Sequence, residues 1–201
     1  MSILAEIFAK YGTDKGSYAS SYEFFLAAER HSVRRVLEVG IGTLTPGAHS
    51  NMIAFAAAHY RPGGSLRSWR DYFPTASIVG FDVQPDTQFT EDRIRTFLCD
   101  STDRESVDQI MEREELGDFD LIIDDGSHLA ENQLKTLKNL YGYLRPGGIF
   151  VIEDVTFDEL LGRSQDVINY VSPSVLFYAK ENFNPIFIKK AGEPATELQS
   201  R

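Results

Sequence analysis

Apolar residues recur at helical spacing through the first thirty or so positions. Ile3, Leu4, Ile7 and Phe8 form one stripe, and Tyr22, Phe25 and Leu26 repeat the pattern within 18–30. Between the two predicted helices, Tyr11-Gly12-Thr13-Asp14-Lys15-Gly16 is a polar break with two glycines. Beyond Arg34 the texture changes. Short β-branched and apolar runs appear at 36–39, 78–82, 94–100, 119–124 and 148–154, each ending in Asp, Glu, Val-Gly or Gly-flanked sequence. Helical patterns at 66–73, 104–114 and 129–143 separate most of them, the last keeping Leu134, Leu137, Tyr141 and Leu144 on one stripe. Strand alternating with helix, with near-continuous apolar strands, predicts an α/β fold with a mostly parallel sheet covered on both faces. Two late runs, 175–178 and 186–188, flank the loop-like Glu181-Asn182-Phe183-Asn184-Pro185 and predict a C-terminal antiparallel hairpin, which makes seven strands.

Length and composition fit one domain over 1–201: an N-terminal helical segment 1–32, a Rossmann-like core 33–190, an insertion or lid at 43–64 and a flexible tail at 191–201. With 42% hydrophobic and 25% charged residues, a chain of 201 residues needs no disulfide or structural metal to hold a core. The formal charge of −10 argues against nucleic acid or an anionic membrane as partner, because phosphate binding needs a basic face. No apolar run approaches the roughly 20 residues of a membrane span, and the first residues lack a basic region ahead of an apolar one, so a cytoplasmic protein is expected. The single cysteine, Cys99, excludes an internal disulfide and is expected to be a buried packing thiol. His31, His49 and His59 show no ligand spacing.

The candidate chemistry lies at the strand ends. Gly40 and Gly42 follow the first strand in Glu38-Val39-Gly40-Ile41-Gly42, where backbone amides can approach a ligand closely. The third glycine of a dinucleotide fingerprint is missing, which makes a dehydrogenase the weaker reading. Asp82 ends the second strand, where an acid meets ribose hydroxyls, and Asp100-Ser101 ends the third. The fourth and fifth strands end in Asp124-Asp125-Gly126-Ser127-His128 and Glu153-Asp154. Converging carboxylates resist ionisation without a cation, and an oxygen set suits Mg²⁺, Ca²⁺ or Mn²⁺ and not zinc. Gly126 turns the chain directly after Asp125, which selects Asp125 over Asp124. Neighbouring strand residues point to opposite faces, so Glu153 and Asp154 share a cation only if the strand ends there. His128, three residues after Asp125, is a candidate general base; acids at strand ends also cap loops without any ligand.

Together with Arg145-Pro146-Gly147-Gly148, the Thr-Asp-Lys break and the Ser65-Leu66-Arg67-Ser68-Trp69 helix, these motifs resemble class I S-adenosylmethionine-dependent methyltransferases. The nearer likeness is to the metal-dependent sugar O-methyltransferases of macrolide antibiotic pathways, the mycinamicin type. The resemblance implies a Rossmann-like fold and an enzyme that moves a methyl group from S-adenosylmethionine to a hydroxyl of a sugar or glycosylated natural product. It implies that Glu38, Gly40 and Gly42 hold the methionine end of the cofactor, with Thr13 and Ser65 nearby. Asp82 would bind the ribose, and Asp100 and Ser101 would lie beside the adenine. It further implies Mg²⁺ on Asp125, Glu153 and Asp154, and a catalytic pair of His128, the base, and Asp125. The partner expected is a small-molecule acceptor, a sugar or glycoside, with no nucleic acid and no membrane; a homo-oligomer stays open. Two other readings remain at this point: a methyltransferase on another small molecule without metal, separated by indifference to chelator, and a non-catalytic cofactor-binding partner protein, which would have no use for the carboxylate and histidine set.

Overall fold

The structure, a computed structural model, describes residues 2–55, 57–155, 167, 170, 171, 175–177 and 184–192. The chain opens with α1 (Ile3–Tyr11), whose first turn is capped by the Ser2 hydroxyl accepting from the Ala5 amide at 3.0 Å. Gly12, with φ +68°, ends it in the left-handed conformation. The helix expected over 18–30 divides into a 3₁₀ turn (Lys15–Tyr18), α2 (Ala19–Leu26) and a second 3₁₀ turn (Ala27–Glu29).

Then follow β1 (Arg35–Val39), α3 (Gly64–Tyr72), β2 (Ser77–Asp82), β3 (Thr90–Glu91), β4 (Ile94–Leu98), α4 (Arg104–Arg113), β5 (Phe119–Asp124), α5 (Ala130–Leu140), β6 (Leu144–Val155), β7 (Val175–Phe177) and β8 (Asn184–Lys189). Among the described residues these strands form one sheet in the order β3-β4-β2-β1-β5-β6-β8-β7. The five central strands run parallel, and β8 and β7 form the expected antiparallel hairpin beside β6. The seven expected strands are all present; the two-residue β3, too short to leave a periodic pattern, adds an antiparallel edge to β4.

Three strand boundaries differ from the sequence expectation by two residues or more. β4 stops at Leu98 and not at 100, because Asp100 turns the chain by accepting from the Thr102 amide and hydroxyl at 2.9 and 2.7 Å. β6 starts at Leu144, ahead of the Pro-Gly-Gly sequence, with a register shift against β5 between Phe119 and Leu121. β8 starts at Asn184, so Asn184 and Pro185 are strand and not loop. Pro185 faces the register shift between Ile152 and Val155 of β6, where a missing amide donor leaves no ladder bond unmade. Residues 178, 181–183 and 193–201, part of the hairpin loop and most of the tail, lie outside the described residues.

Alternation along the strands divides the core in two. Val36, Ile78, Leu121, Ile123 and Val151 face α1, α2 and α3 with Phe8, Tyr22 and Trp69. Leu37, Val79, Phe81, Ile122 and Phe150 face α4 and α5 with Ile110 and Leu137. The aromatic residues near the N-terminus largely serve this packing: Phe8 and Tyr22 meet Trp69 edge-on at 5.2 and 4.9 Å.

The chain order reverses between β1 and β5, where open parallel sheets bind ligands at their carboxyl ends. Gly40 makes that junction close. It adopts φ +87°, and a Cβ there would stand 2.0 Å from the Asp125 carbonyl oxygen. Gly40→Ala is therefore expected to destabilise the fold by about 1–3 kcal/mol or more, read as a lower denaturant midpoint. An unchanged midpoint would show that the two loops separate freely. Among the described residues, no helix is long and apolar enough to cross a membrane.

Candidate active site

A cavity of about 1140 Å³ opens along the carboxyl ends of the parallel strands. Of the sequence-predicted residues, Gly40, Gly42, Asp82, Asp100, Ser101, Asp125, His128, Glu153 and Asp154 line it. Thr13, Glu38 and Ser65 are not among the lining residues. Glu38 is fully buried behind the glycine loop, where its Oε2 accepts from the Trp69 indole. Thr13 is half-buried and donates weakly to Asp14 at 3.4 Å.

At the glycine-loop end the contacts run through the backbone. Asp82 closes β2 and accepts from the Ile41 amide at 2.8 Å and the Gln84 amide at 2.9 Å, tying the glycine loop to the next strand. Burial raises the Asp82 carboxyl above its ordinary range, against the pull of those amides. Ser101 pairs with Thr136 at 2.8 Å. Cys99 is buried as expected, and burial pushes its thiol up to about 11. The 43–64 segment forms one wall through His49, Ser50, Asn51, Met52 and Phe55. It is tied down by the Thr43 hydroxyl and Leu44 amide donating to Asp86 at 2.6 and 3.0 Å, and by His49 bonding the Ser127 carbonyl at 2.8 Å.

At the other end the acids meet. Asp124 ends β5, buried, and accepts from the Gly126 amide. Asp125, one residue on, places Oδ1 3.1 Å from His128 Nε2. His128 Nε2 also lies 3.3 Å from Asp154 Oδ2. The alternation rule would separate Glu153 from Asp154, and β6 does not end between them. Instead the register against β8 shifts there and Asp154 adopts φ +53°, a bulge that lets both carboxylates reach the cavity. His128 is left-handed as well, at φ +58°, so two non-glycine residues of this kind sit within one cluster.

Lysine and two tyrosines complete the cluster, and sequence reasoning missed all three. Lys15, 2% exposed, sets its ammonium 2.5 Å from Asp125 Oδ2, in contact with Glu153 Oε2 and 3.5 Å from Glu38 Oε1. The Tyr18 hydroxyl donates to Asp154 Oδ1 and the Tyr22 hydroxyl to Glu153 Oε1. Burial disfavours charge on all of these groups, but Lys15 and His128 hold the Asp125 carboxyl below its usual range. Burial outweighs Lys15 at Glu153 and at Glu38 and raises both. At His128 burial lowers the pKa, while the hydrogen bond it donates to Asp125 and the charges of Asp125 and Asp154 more than reverse that, so it stands above the ordinary 6.5.

The chain has named relatives. No family model matches it. It is 34% identical over 159 residues to the mycinamicin VI 2''-O-methyltransferase of Micromonospora griseorubida, covering 76% of this chain and 36% of that protein. It is 36% identical over 159 residues, with the same coverage of each, to the 8-demethyl-8-(2-methoxy-alpha-L-rhamnosyl)-tetracenomycin-C 3'-O-methyltransferase of Streptomyces olivaceus. The chain thus spans about a third of the length of these curated relatives. A crystal structure of the MycE methyltransferase of the mycinamycin biosynthetic pathway, in complex with Mg and SAH, superposes with a TM-score of 0.75 at 27% identity over 98% of this chain and 57% of that one. The parallel sheet, the glycine loop at its switch point and these likenesses place the chain in the class I S-adenosylmethionine-dependent methyltransferases. Within that class its relatives are the mycinamicin-type sugar O-methyltransferases.

Proposed function

We propose that this chain carries the catalytic site of a Mg²⁺-dependent O-methyltransferase. It transfers the methyl group of S-adenosylmethionine to a hydroxyl of a sugar or glycosylated natural product. Asp125, Glu153 and Asp154 hold the metal and His128 is the base. The observation that carries the reading is the cluster itself: Asp125, His128 and Asp154 offer ligand atoms all within 4.8 Å of one another, on the wall of the cavity that takes in Gly40, Gly42 and Asp82. Relatives named as sugar O-methyltransferases and the Mg and SAH of the MycE complex support it.

The residues present fit a hard divalent cation. The donors are chiefly carboxylate oxygens, they crowd negative charge that a single buried ammonium does not balance, and Asp125 is held ionised. At about 1140 Å³ the cavity exceeds the roughly 300–1,000 Å³ of a single-ligand pocket, leaving room for an acceptor beside a cofactor. The glycine loop and Asp82 supply the amides and carboxylate that seat the cofactor.

In the reaction a bond forms between the acceptor oxygen and the methyl carbon as the methyl carbon–sulfur bond breaks, S-adenosylhomocysteine is the leaving group, and the hydroxyl proton departs. A bound cation supplies a Lewis acid that lowers the hydroxyl's pKa and fixes its approach. His128 accepts the proton, and the imidazolium that forms is stabilised by Asp125 Oδ1 and Asp154 Oδ2, which stand 3.1 and 3.3 Å from Nε2. Asp125 keeps the imidazole oriented and favours the imidazolium that results. The 43–64 wall and Tyr18 narrow the space in which the acceptor oxygen can stand against the methyl group.

The direct test is methyl transfer to a panel of glycosides with and without chelator. Activity lost in EDTA and restored by Mg²⁺ supports the reading; full activity in excess chelator removes the metal. Cation affinity is also expected to weaken as pH falls from alkaline values to the ordinary histidine value of 6.5 and below. His128 gains a proton as pH drops through its raised pKa, and an imidazolium then stands beside the incoming cation. The sign is opposite for the metal-free fold, in which the protonated form of His128 is the better bound one, so its contribution to stability is full at low pH and fades as pH rises through that value. A cation affinity flat across this window would remove His128 from the neighbourhood of the metal.

A further inference from the structure

The three acids proposed to hold the cation are each gripped from outside the Rossmann core, by one face of the N-terminal segment. Lys15, Tyr18 and Tyr22 are spaced three and four residues apart along the 3₁₀ turn and α2, the spacing that aligns side chains on one side of a helix. The contacts of Asp125 and Asp154 follow one rule, and Glu153 is held at both oxygens. Asp125 gives Oδ2 to Lys15 and keeps Oδ1 toward His128. Asp154 gives Oδ1 to Tyr18 and keeps Oδ2 toward His128. Glu153 gives Oε1 to Tyr22 and Oε2 to Lys15. In both acids that reach His128, one carboxylate oxygen is held on the N-terminal side and the other is thereby aimed at the imidazole.

We propose that Lys15, Tyr18 and Tyr22 are positioning residues for the cation site, setting the carboxylate orientations that the metal and His128 require. The inference rests on the reading of Asp125, Glu153 and Asp154 as metal ligands. Its physical basis is the cost of holding a carboxylate in one rotamer. A ligand that must first be ordered binds less tightly than one already fixed by a hydrogen bond, and loss of such an outer partner typically weakens metal affinity by about 10–100-fold. The anchoring is rigid where it needs to be. Tyr22 is fully buried between Trp69 and Phe187, at ring distances of 4.9 and 5.4 Å, and Lys15 is 2% exposed. Tyr18 is half-buried on the cavity wall, so removing its hydroxyl disturbs no packed core.

The test measures Mn²⁺ binding to the whole chain by the electron paramagnetic resonance signal of free Mn²⁺, for wild type, Tyr18→Phe and Tyr22→Phe. Melting midpoints in EDTA and S-adenosylmethionine affinities are recorded alongside. Wild type is expected to take up one Mn²⁺, and Tyr18→Phe to bind it about 10-fold or more weakly, with metal-free melting and cofactor affinity unchanged. Tyr22→Phe is expected to weaken Mn²⁺ in the same direction. Equal Mn²⁺ affinity in wild type and both variants would overturn the inference while leaving the cation site standing. A metal-free melting midpoint that falls together with the affinity would also overturn it, by making Tyr18 a structural residue. Absence of Mn²⁺ uptake by wild type would remove the cation site, and this inference with it.

Discussion

Replacing His128 with asparagine is expected to lower methyl-transfer turnover by about 10²–10⁴-fold while S-adenosylmethionine still binds, the effect of deleting a positioned general base. Asparagine is the suitable substitute because residue 128 adopts φ +58°, which asparagine tolerates and alanine does not. The imidazole meets the Asp125 and Asp154 carboxylates, so the substitution acts on the acid cluster and cofactor affinity should be spared. Single-turnover rates and a calorimetric S-adenosylmethionine titration on the same preparation separate the two quantities. Turnover near that of wild type would take the proton-acceptor role away from His128.

Asp125→Asn is expected to have the second large effect, a loss of divalent-cation affinity of at least about 100-fold, with turnover falling accordingly. Outer partners of a metal already matter by about 10–100-fold, and Asp125 touches the site directly. One side chain would lose two roles: the charge that faces Lys15 at 2.5 Å and the acceptor 3.1 Å from His128. The fold should survive, because the buried Lys15 ammonium keeps Glu153 and Glu38 as partners and is not left as an uncompensated charge. Calorimetric Mg²⁺ titration of the variant checks the affinity and its melting curve checks the fold. Wild-type Mg²⁺ affinity in Asp125→Asn would exclude Asp125 as a ligand.

The parts of the molecule legible in the sequence are those written in local pattern. The apolar strand runs ending in Asp82, Asp124 and Asp154, the helical stripes between them and the glycines after β1 gave the sheet and its binding edge. The turn at Gly126 pointed to Asp125, which the structure sets against His128. What was not legible depends on contacts far apart in the chain. Lys15 reads as one charge in a polar break, and nothing nearby shows that its ammonium lies among carboxylates from β1, the β5 loop and β6, more than a hundred residues away in two of the three cases. Tyr18 and Tyr22 look like packing aromatics, and only Tyr22 packs in full; both hydroxyls are spent on the acids. Glu38 shows the converse. Two residues before Gly40 it looks like a cofactor ligand, yet it lies on the α3 side of the sheet outside the cavity lining, where the Trp69 indole donates to Oε2 and the Lys15 ammonium stands 3.5 Å from Oε1. The bulge at Asp154 was equally hidden, since strand alternation predicts opposite faces for Glu153 and Asp154 until β8 and Pro185 are seen to break the register.

The most direct measurement is equilibrium binding of S-adenosylmethionine to the purified protein, by calorimetry, in the presence of Mg²⁺. One saturable site per chain is the predicted result, since the proposed function places one cofactor in the cavity lined by the glycine loop and Asp82 at the switch point of the sheet. No binding by folded protein at millimolar-range cofactor would contradict the methyltransferase account and leave the cluster of Asp125, His128 and Asp154 to a different chemistry.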